Sequence, residues 1–154
     1  MTERWRQALA LPLAVALCLV AGAIGGSFRP GQWYAELAKP PGTPPDWVFA
    51  PVWTLLYIMM GIALWLWWQA GAPRRVMLLF GLQLALNVLW SALFFGLQRP
   101  ALALVEVLLL MAAIIATMTA GRTIRPAAAG LMVPYLLWVA YAGYLNAGIV
   151  FLNR

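Results

Sequence analysis

The sequence predicts an all-α integral membrane protein, a bundle of five transmembrane helices. Of its 154 residues, 65% are hydrophobic and only 9% are charged, whereas soluble domains have about 45–50% apolar and about 25% charged residues. A helix that spans a bilayer needs roughly 20 residues, so five of them occupy about 100 residues and leave the rest for loops and termini. This composition excludes a soluble enzyme with a polar surface.

Five apolar segments separated by polar connections give the individual spans. The first follows Arg4 and Arg6 as in a signal peptide, but its length and the further spans behind it favour a transmembrane helix. Three of the connections are short, which favours antiparallel neighbours. The expected spans are about residues 9–27, 47–69, 76–97, 101–120 and 127–152, within a single domain that covers residues 1–154.

One polar segment, residues 28–46, is long enough to form a lid, and we call it the lid loop. Its five prolines and two glycines preclude a continuous helix. A short helical turn over residues 32–37 would place Trp33 and Tyr34 at the level of the lipid headgroups. Asp46 is expected to cap the N-terminus of the second span, which then begins at Trp47.

The basic residues predict an orientation rather than a nucleic-acid partner. They are scattered singly or in pairs, so no basic stripe exists that could follow a phosphate backbone. The N-terminus and the second and fourth connections carry six of them and the opposite side carries four, which favours a cytoplasmic N-terminus in an inner membrane. The six are Arg4, Arg6, Arg74, Arg75, Arg122 and Arg125, and the four are Arg29, Lys39, Arg99 and Arg154.

Several kinds of chemistry are excluded by the residues the chain lacks. It has no histidine and one cysteine, so we expect no metal site, no histidine-dependent catalysis and no internal disulfide.

Glu106 is the only acid within a span. It follows Pro100 closely, so we expect it near the outer interface, paired with Arg99 or reaching water. A proton-coupled transporter, which needs a deep carboxylate, is therefore disfavoured.

The third span has one polar and aromatic face, formed by residues that fall within an arc of about 100° on a helix. Amide side chains are costly to expose to lipid, so this face should point into the bundle. It either holds the helices together by hydrogen bonds or forms the wall of a ligand cavity. The residues of the face are Gln83, Asn87, Trp90, Ser91 and Phe94.

Three aromatic residues lie deeper than an interfacial belt. Trp53 and Tyr57 follow Pro51 in the second span, and Trp138 follows a proline in the fifth. Aromatic faces from several helices can enclose a large flat apolar molecule such as a tetrapyrrole or a sterol, and Arg29 or Lys39 could bind carboxylates at its edge. Without histidine, binding of the ring itself is favoured over iron-centred chemistry.

Three segments resemble one membrane protein family along essentially the whole chain. WYAELAKPPGTPPDWVFAPVWTLLYIMMGIALWLWW, QLALNVLWSALFFGL and VPYLLWVAYAGYLNAGI are similar, in order and spacing, to segments of the TspO/MBR family of tryptophan-rich sensory proteins, which are themselves similar to the mitochondrial translocator protein. The resemblance implies a five-helix bundle, commonly dimeric, with a pocket under the loop that joins the first two spans.

The resemblance also implies a ligand and a set of site residues. Family members bind porphyrins and haem, so protoporphyrin IX or haem is the expected ligand, with no obligatory cofactor. Matching the motifs places the pocket tryptophans at Trp53 and Trp138. The expected ligand-binding set is Tyr34 and Pro44 in the lid loop, Trp53, Tyr57, Gln83, Asn87, Trp90, Phe94, Trp138 and Ala142.

The leading functional hypothesis is a membrane receptor or binding protein for porphyrins and related tetrapyrroles, which senses, transports or disposes of them. One alternative is a light-dependent porphyrin-degrading enzyme, in which Trp53 and Trp138 would be the catalytic electron donors. The other is a lipid or sterol translocator. We further expect a multi-pass membrane protein of a bacterium, and a homodimer formed through small residues of the first span or through Gly81 and Ala85.

Overall fold

The computed structural model describes residues 3–154, which fold into an all-α bundle. Five helical segments in this range are long and apolar enough to cross a membrane, two of them interrupted. This confirms the predicted fold class. In order, the helices are α1 (Glu3–Gly26), α2 (Gln32–Glu36), α3 (Asp46–Gln69), α4 (Arg74–Ser91), a π-helical turn (Ala92–Gly96), α5 (Pro100–Gly121), α6 (Pro126–Leu131) and α7 (Val133–Leu152).

Two helix starts differ from the predicted ones. Helix α1 begins at Glu3 rather than near Leu9, because the polar residues before the apolar run include no helix breaker and an acid in the first turn favours the helix N-terminus. Asp46 is the first residue of α3 rather than its cap, and Pro45 takes the capping position without a side-chain hydrogen bond. The predicted turn over residues 32–37 is confirmed as α2.

Helices α1 and α3 approach so closely that glycine is required between them. A Cβ atom on Gly61 would lie 2.5 Å from the Cα atom of Val15, and one on Gly22 would lie 2.5 Å from Cδ2 of Tyr57. Gly22 and the fully buried Cys18 are two of the small residues of the first span through which a homodimer was one expectation. They face α3 of the same chain instead. Gly81 and Ala85 are exposed on α4, and the homodimer stays a prediction.

The third and fifth spans are interrupted where the sequence predicted continuous helices. In the fifth, the chain breaks at Met132 between α6 and α7, since Pro134 cannot donate a backbone hydrogen bond and its ring crowds the preceding turn. In the third, the backbone N–H of Leu97 donates to the carbonyl of Ala92 over 2.8 Å, which closes a π-helical turn. Such turns often occur at functional sites.

The tightly packed core fills the half of the bundle far from the lid loop. Its largest fully buried side chains include Trp67, Phe80, Met132 and Tyr135. The indole N–H of Trp67 donates to the carbonyl of Gly121 over 3.0 Å, which ties the end of α3 to the end of α5. A smaller apolar cluster lies at the lid end, and Trp90 packs against both clusters.

Candidate ligand-binding cavity

A cavity of about 470 Å³ lies at the lid end of the bundle. Its walls come from the second half of α1, the first half of α3, the end of the third span and the middle of α7, and residues of the lid loop cover it. This volume lies within the range of small-molecule sites, about 300–1,000 Å³. Six residues of the predicted set line it: Tyr34, Trp53, Tyr57, Trp90, Trp138 and Ala142.

Four residues of the predicted set do not line the cavity. Gln83 and Asn87 are 0% and 3% exposed, because they lie below its floor and bond to other helices. Phe94 packs into the smaller cluster, with Trp90 stacked on it at 5.2 Å between ring centroids. The wide π-helical turn shifts the register, so that Phe95 lines the cavity in its place. Pro44 is half-buried in the lid loop away from the walls.

A chain of hydrogen bonds beneath the cavity floor links α3, α4 and α7. The Tyr57 hydroxyl donates to Oδ1 of Asn87, and Nδ2 of Asn87 donates to the Tyr135 hydroxyl over 3.0 Å. The Tyr135 hydroxyl in turn donates to Oε1 of Gln83 over 2.8 Å. The polar face of the third span therefore divides: its amides hold helices together, and Trp90 and Ser91 line the cavity.

We expect Tyr135→Phe to lower the free energy of unfolding by about 1–3 kcal/mol, because it leaves a buried amide donor and a buried amide acceptor without partners. Thermal unfolding in detergent measures the change. Tyr144→Phe is the matched control, since it removes an exposed hydroxyl that bonds to the carbonyl of Pro41. Equal losses of unfolding free energy in the two variants would show that the buried hydrogen bonds contribute no more to stability than an exposed one.

The aromatic walls present rings from two opposite helices. On α3, Trp53 stacks on Tyr57 with centroids 5.7 Å apart and planes 29° apart. On α7, Trp138 meets Phe49 edge to face at 6.1 Å. The indole Nε1 of Trp138 is buried and has no hydrogen-bond partner within residues 3–154. A buried donor left without a partner in this way costs free energy.

Trp90 is held in place by a residue that sequence reasoning missed. Its indole N–H donates to Oδ1 of Asn146 over 3.2 Å, and Nδ2 of Asn146 donates to the carbonyl of Pro100 over 2.7 Å. Asn146 is fully buried in α7. An amide in the middle of an apolar span was the available signal, since such residues seldom face lipid.

The lid loop is fastened to α7. The hydroxyls of Tyr141 and Tyr144 donate to the carbonyls of Gly42 and Pro41. Gly42 has a φ of +86°, a left-handed conformation that glycine adopts without strain. Asn153 accepts from the Ala38 N–H over 3.0 Å and donates to the Ala38 carbonyl over 2.9 Å. These bonds hold the loop over the cavity.

Close packing adds to these bonds. A Cβ atom on Gly148 of α7 would lie 2.5 Å from the ring of Pro40, so the proline-rich strand of the loop lies directly on the helix backbone.

The two basic residues near the cavity differ in their position relative to its wall. Lys39 lies 4.6 Å above the ring of Tyr34 and donates to two loop carbonyls, so it does not line the wall. Arg29 is exposed between Phe28 and Pro30, which both line the cavity, and this places it at the mouth.

Burial, and to a lesser degree the Asp46 carboxylate, raise the pKa of Tyr34, so its phenol stays neutral at physiological pH.

Glu106 does not reach the interface as expected. It is 5% exposed, and neither carboxylate oxygen has a hydrogen-bond partner within the described range. The reason is that its position on α5 faces the bundle, one turn from the buried residues Ala103 and Leu110. The predicted pairing with Arg99 is therefore wrong.

Other wall residues were not predicted because their sequence signals were ambiguous. Gly22 and Gly26 of α1 line the cavity, yet a stripe of small residues equally indicates contact with another helix. Phe49 and Tyr141 also contribute, although aromatic residues near helix ends usually belong to an interfacial belt.

Together these features define a class of protein: a five-helix membrane protein that encloses an aromatic cavity beneath a loop at one end. Comparison with known sequences identifies the family. The chain belongs to the TspO/MBR family, whose model matches residues 14–152. The predicted resemblance is therefore confirmed, and the chain is a multi-pass membrane protein.

The similarity to individual relatives extends over nearly the full length. The chain is 45% identical to the tryptophan-rich protein TspO of Chlorobaculum tepidum, over 96% of this chain and 98% of that protein. It is 43% identical to the tryptophan-rich protein TspO of Archaeoglobus fulgidus, over 92% and 95%. It is 39% identical to the translocator protein of Bos taurus, over 95% and 89%. The cytoplasmic N-terminus and the bacterial source stay predictions.

Proposed function

We propose that the protein binds porphyrins and related tetrapyrroles in the cavity beneath the lid loop. The observation that carries the proposal is the composition of the walls. Trp53 and Tyr57 on α3 and Trp138 on α7 present aromatic rings to one enclosed space of about 470 Å³. Aromatic rings pack against flat π-systems by offset stacking or edge-to-face contact, so this space selects a flat, largely apolar ligand.

The polar groups of the cavity suit the edge of such a ligand. Protoporphyrin IX carries its two carboxylates on one edge, and Arg29 at the mouth offers a guanidinium group that can bind a carboxylate with two hydrogen bonds. Asp46, which also lines the cavity, disfavours carboxylates along the α3 side of the mouth. The apolar edge therefore enters first, and the carboxylates remain near Arg29.

The names of relatives favour a role in sensing or transport. One relative, from Cereibacter sphaeroides, is called a tryptophan-rich sensory protein, and that of Bos taurus is called a translocator protein. We infer that binding in this chain serves the recognition or the transfer of a tetrapyrrole.

Quenching of tryptophan fluorescence by protoporphyrin IX tests the proposal. The purified protein is titrated in the dark, because binding needs no light. We expect saturable quenching with one ligand per chain, since Trp53, Trp90 and Trp138 all line the cavity. Undiminished emission at saturating porphyrin would refute the proposal.

A further inference from the structure

The exposed residues of the cavity wall all lie on one side of it. Those on α1 and α3 are Ala23, Gly26, Ala50 and Thr54. Pro30 and Asp46 continue the exposed edge towards the lid loop. In contrast, every wall residue from the third span and from α7 is buried or half-buried. The cavity therefore opens between the second half of α1 and the first half of α3, through a gap that we call the lateral slot.

We propose that the lateral slot is the entrance by which the ligand passes from the bilayer into the cavity. This inference rests on the proposed function. It adds that the ligand enters from the lipid bilayer, in which it is dissolved, rather than from water. A flat apolar molecule partitions into lipid, where the slot is open to it.

The depth of the slot supports access from lipid. Thr54 lies eight residues beyond Asp46, the first residue of α3, which corresponds to about 12 Å along the helix at 1.5 Å per residue. The hydrocarbon core of a bilayer is about 30 Å thick. The slot thus extends from the level of the loop into the region of the acyl chains.

Small side chains keep the slot open, and close packing ends it below. A Cβ atom on Gly26 would have no atom within 4 Å, and Ala23 and Ala50 add only methyl groups. One turn deeper, Gly22 packs on the ring of Tyr57, and further down Gly61 packs on the backbone of Val15. The two helices therefore separate only beside the cavity.

The alternative route, under the lid loop, is closed by the bonds to α7. Lifting the loop would break the hydrogen bonds of Tyr141, Tyr144 and Asn153 and separate Pro40 from Gly148. Passage through the slot requires none of these bonds to break.

A transfer experiment tests the entrance. Protoporphyrin IX is preloaded into donor liposomes and mixed in the dark with protein in acceptor liposomes, and tryptophan quenching follows its arrival. Gly26→Phe adds a ring to the slot at a position where a Cβ atom would have no atom within 4 Å. We expect association to slow by about tenfold, because a narrowed passage raises the barrier to entry whatever the added ring does to the Kd.

Two matched variants serve as controls. Gly81→Phe places the same ring on α4 at another glycine whose Cβ would meet no atom within 4 Å, and it should leave both rates unchanged. Asn153→Ala loosens the lid loop and should also leave association unchanged. Ala23→Phe, one turn from Gly26, provides a second obstruction if Gly26→Phe does not fold.

Each contrary result has a distinct meaning. Wild-type rates in the Phe variants with a normal Kd would overturn the lateral slot and leave the proposed function standing. Faster association in Asn153→Ala would assign the entrance to the lid loop instead. A weaker Kd without slower rates would make Gly26 part of the binding surface only. Absence of quenching in the wild-type protein would overturn the proposed function, and the entrance with it.

Discussion

Replacing Trp53 and Trp138 together by alanine should weaken protoporphyrin IX binding between about a hundredfold and a thousandfold. Well-packed aromatic residues at the centre of an interface contribute about 2 kcal/mol or more each, and each 1.4 kcal/mol is a tenfold change in Kd. The two rings line the cavity from different helices, so the double variant removes walls on two sides. Absorbance titration in the dark measures the change.

The control for this prediction removes two tryptophans from the surface. Trp47 and Trp68 are 74% and 50% exposed, as expected for an interfacial belt. Trp47→Ala combined with Trp68→Ala should leave the Kd of protoporphyrin IX unchanged. Equal weakening in the two double variants would mean that the ligand binds wherever tryptophan is found rather than in the cavity.

Gly61→Ala should lower the free energy of unfolding by about 1–3 kcal/mol, the usual cost of adding a methyl group to a filled space. The added Cβ would lie 2.5 Å from the Cα atom of Val15. Because that neighbour is backbone, α1 and α3 must separate to relieve the clash. Their contact closes the cavity from below, so we also expect weaker porphyrin binding.

Gly81→Ala is the matched control for stability. Its Cβ would meet no atom within 4 Å, and alanine is favoured over glycine within a helix by up to about 1 kcal/mol. This variant should therefore be as stable as the wild-type protein or more stable. Thermal unfolding in detergent compares the two variants, and equal destabilisation would contradict the close α1–α3 contact.

The spans and the lid loop were predictable because the membrane restricts the possible solutions. A bilayer requires long apolar helices with internally paired backbones, so apolar runs located five spans to within a few residues at most ends. Prolines marked the lid loop. Trp53, Tyr57 and Trp138 were identifiable because they lie deeper than an interfacial belt, and all three line the same cavity from two helices.

The remaining features depend on contacts that periodicity does not encode. The π-helical turn exchanges Phe94 for Phe95 in the cavity wall, and nothing in an apolar run marks where a helix widens. The partners of Gln83 and Asn87 lie on other helices, so their pattern indicated an inward face without deciding between packing and ligand binding. Gly22 illustrates the same ambiguity, since small residues permit close approach within a chain or between chains.

The central claim, that a tetrapyrrole occupies the enclosed cavity, is tested most directly by filling that cavity. Ala142 is a half-buried wall residue on α7, and Ala142→Trp would place an indole in the space assigned to the ligand. Dark titration of the variant with protoporphyrin IX should show no saturable binding, while thermal unfolding confirms that it folds. Wild-type affinity in the folded Ala142→Trp protein would contradict the claim, because the porphyrin would then bind outside the cavity.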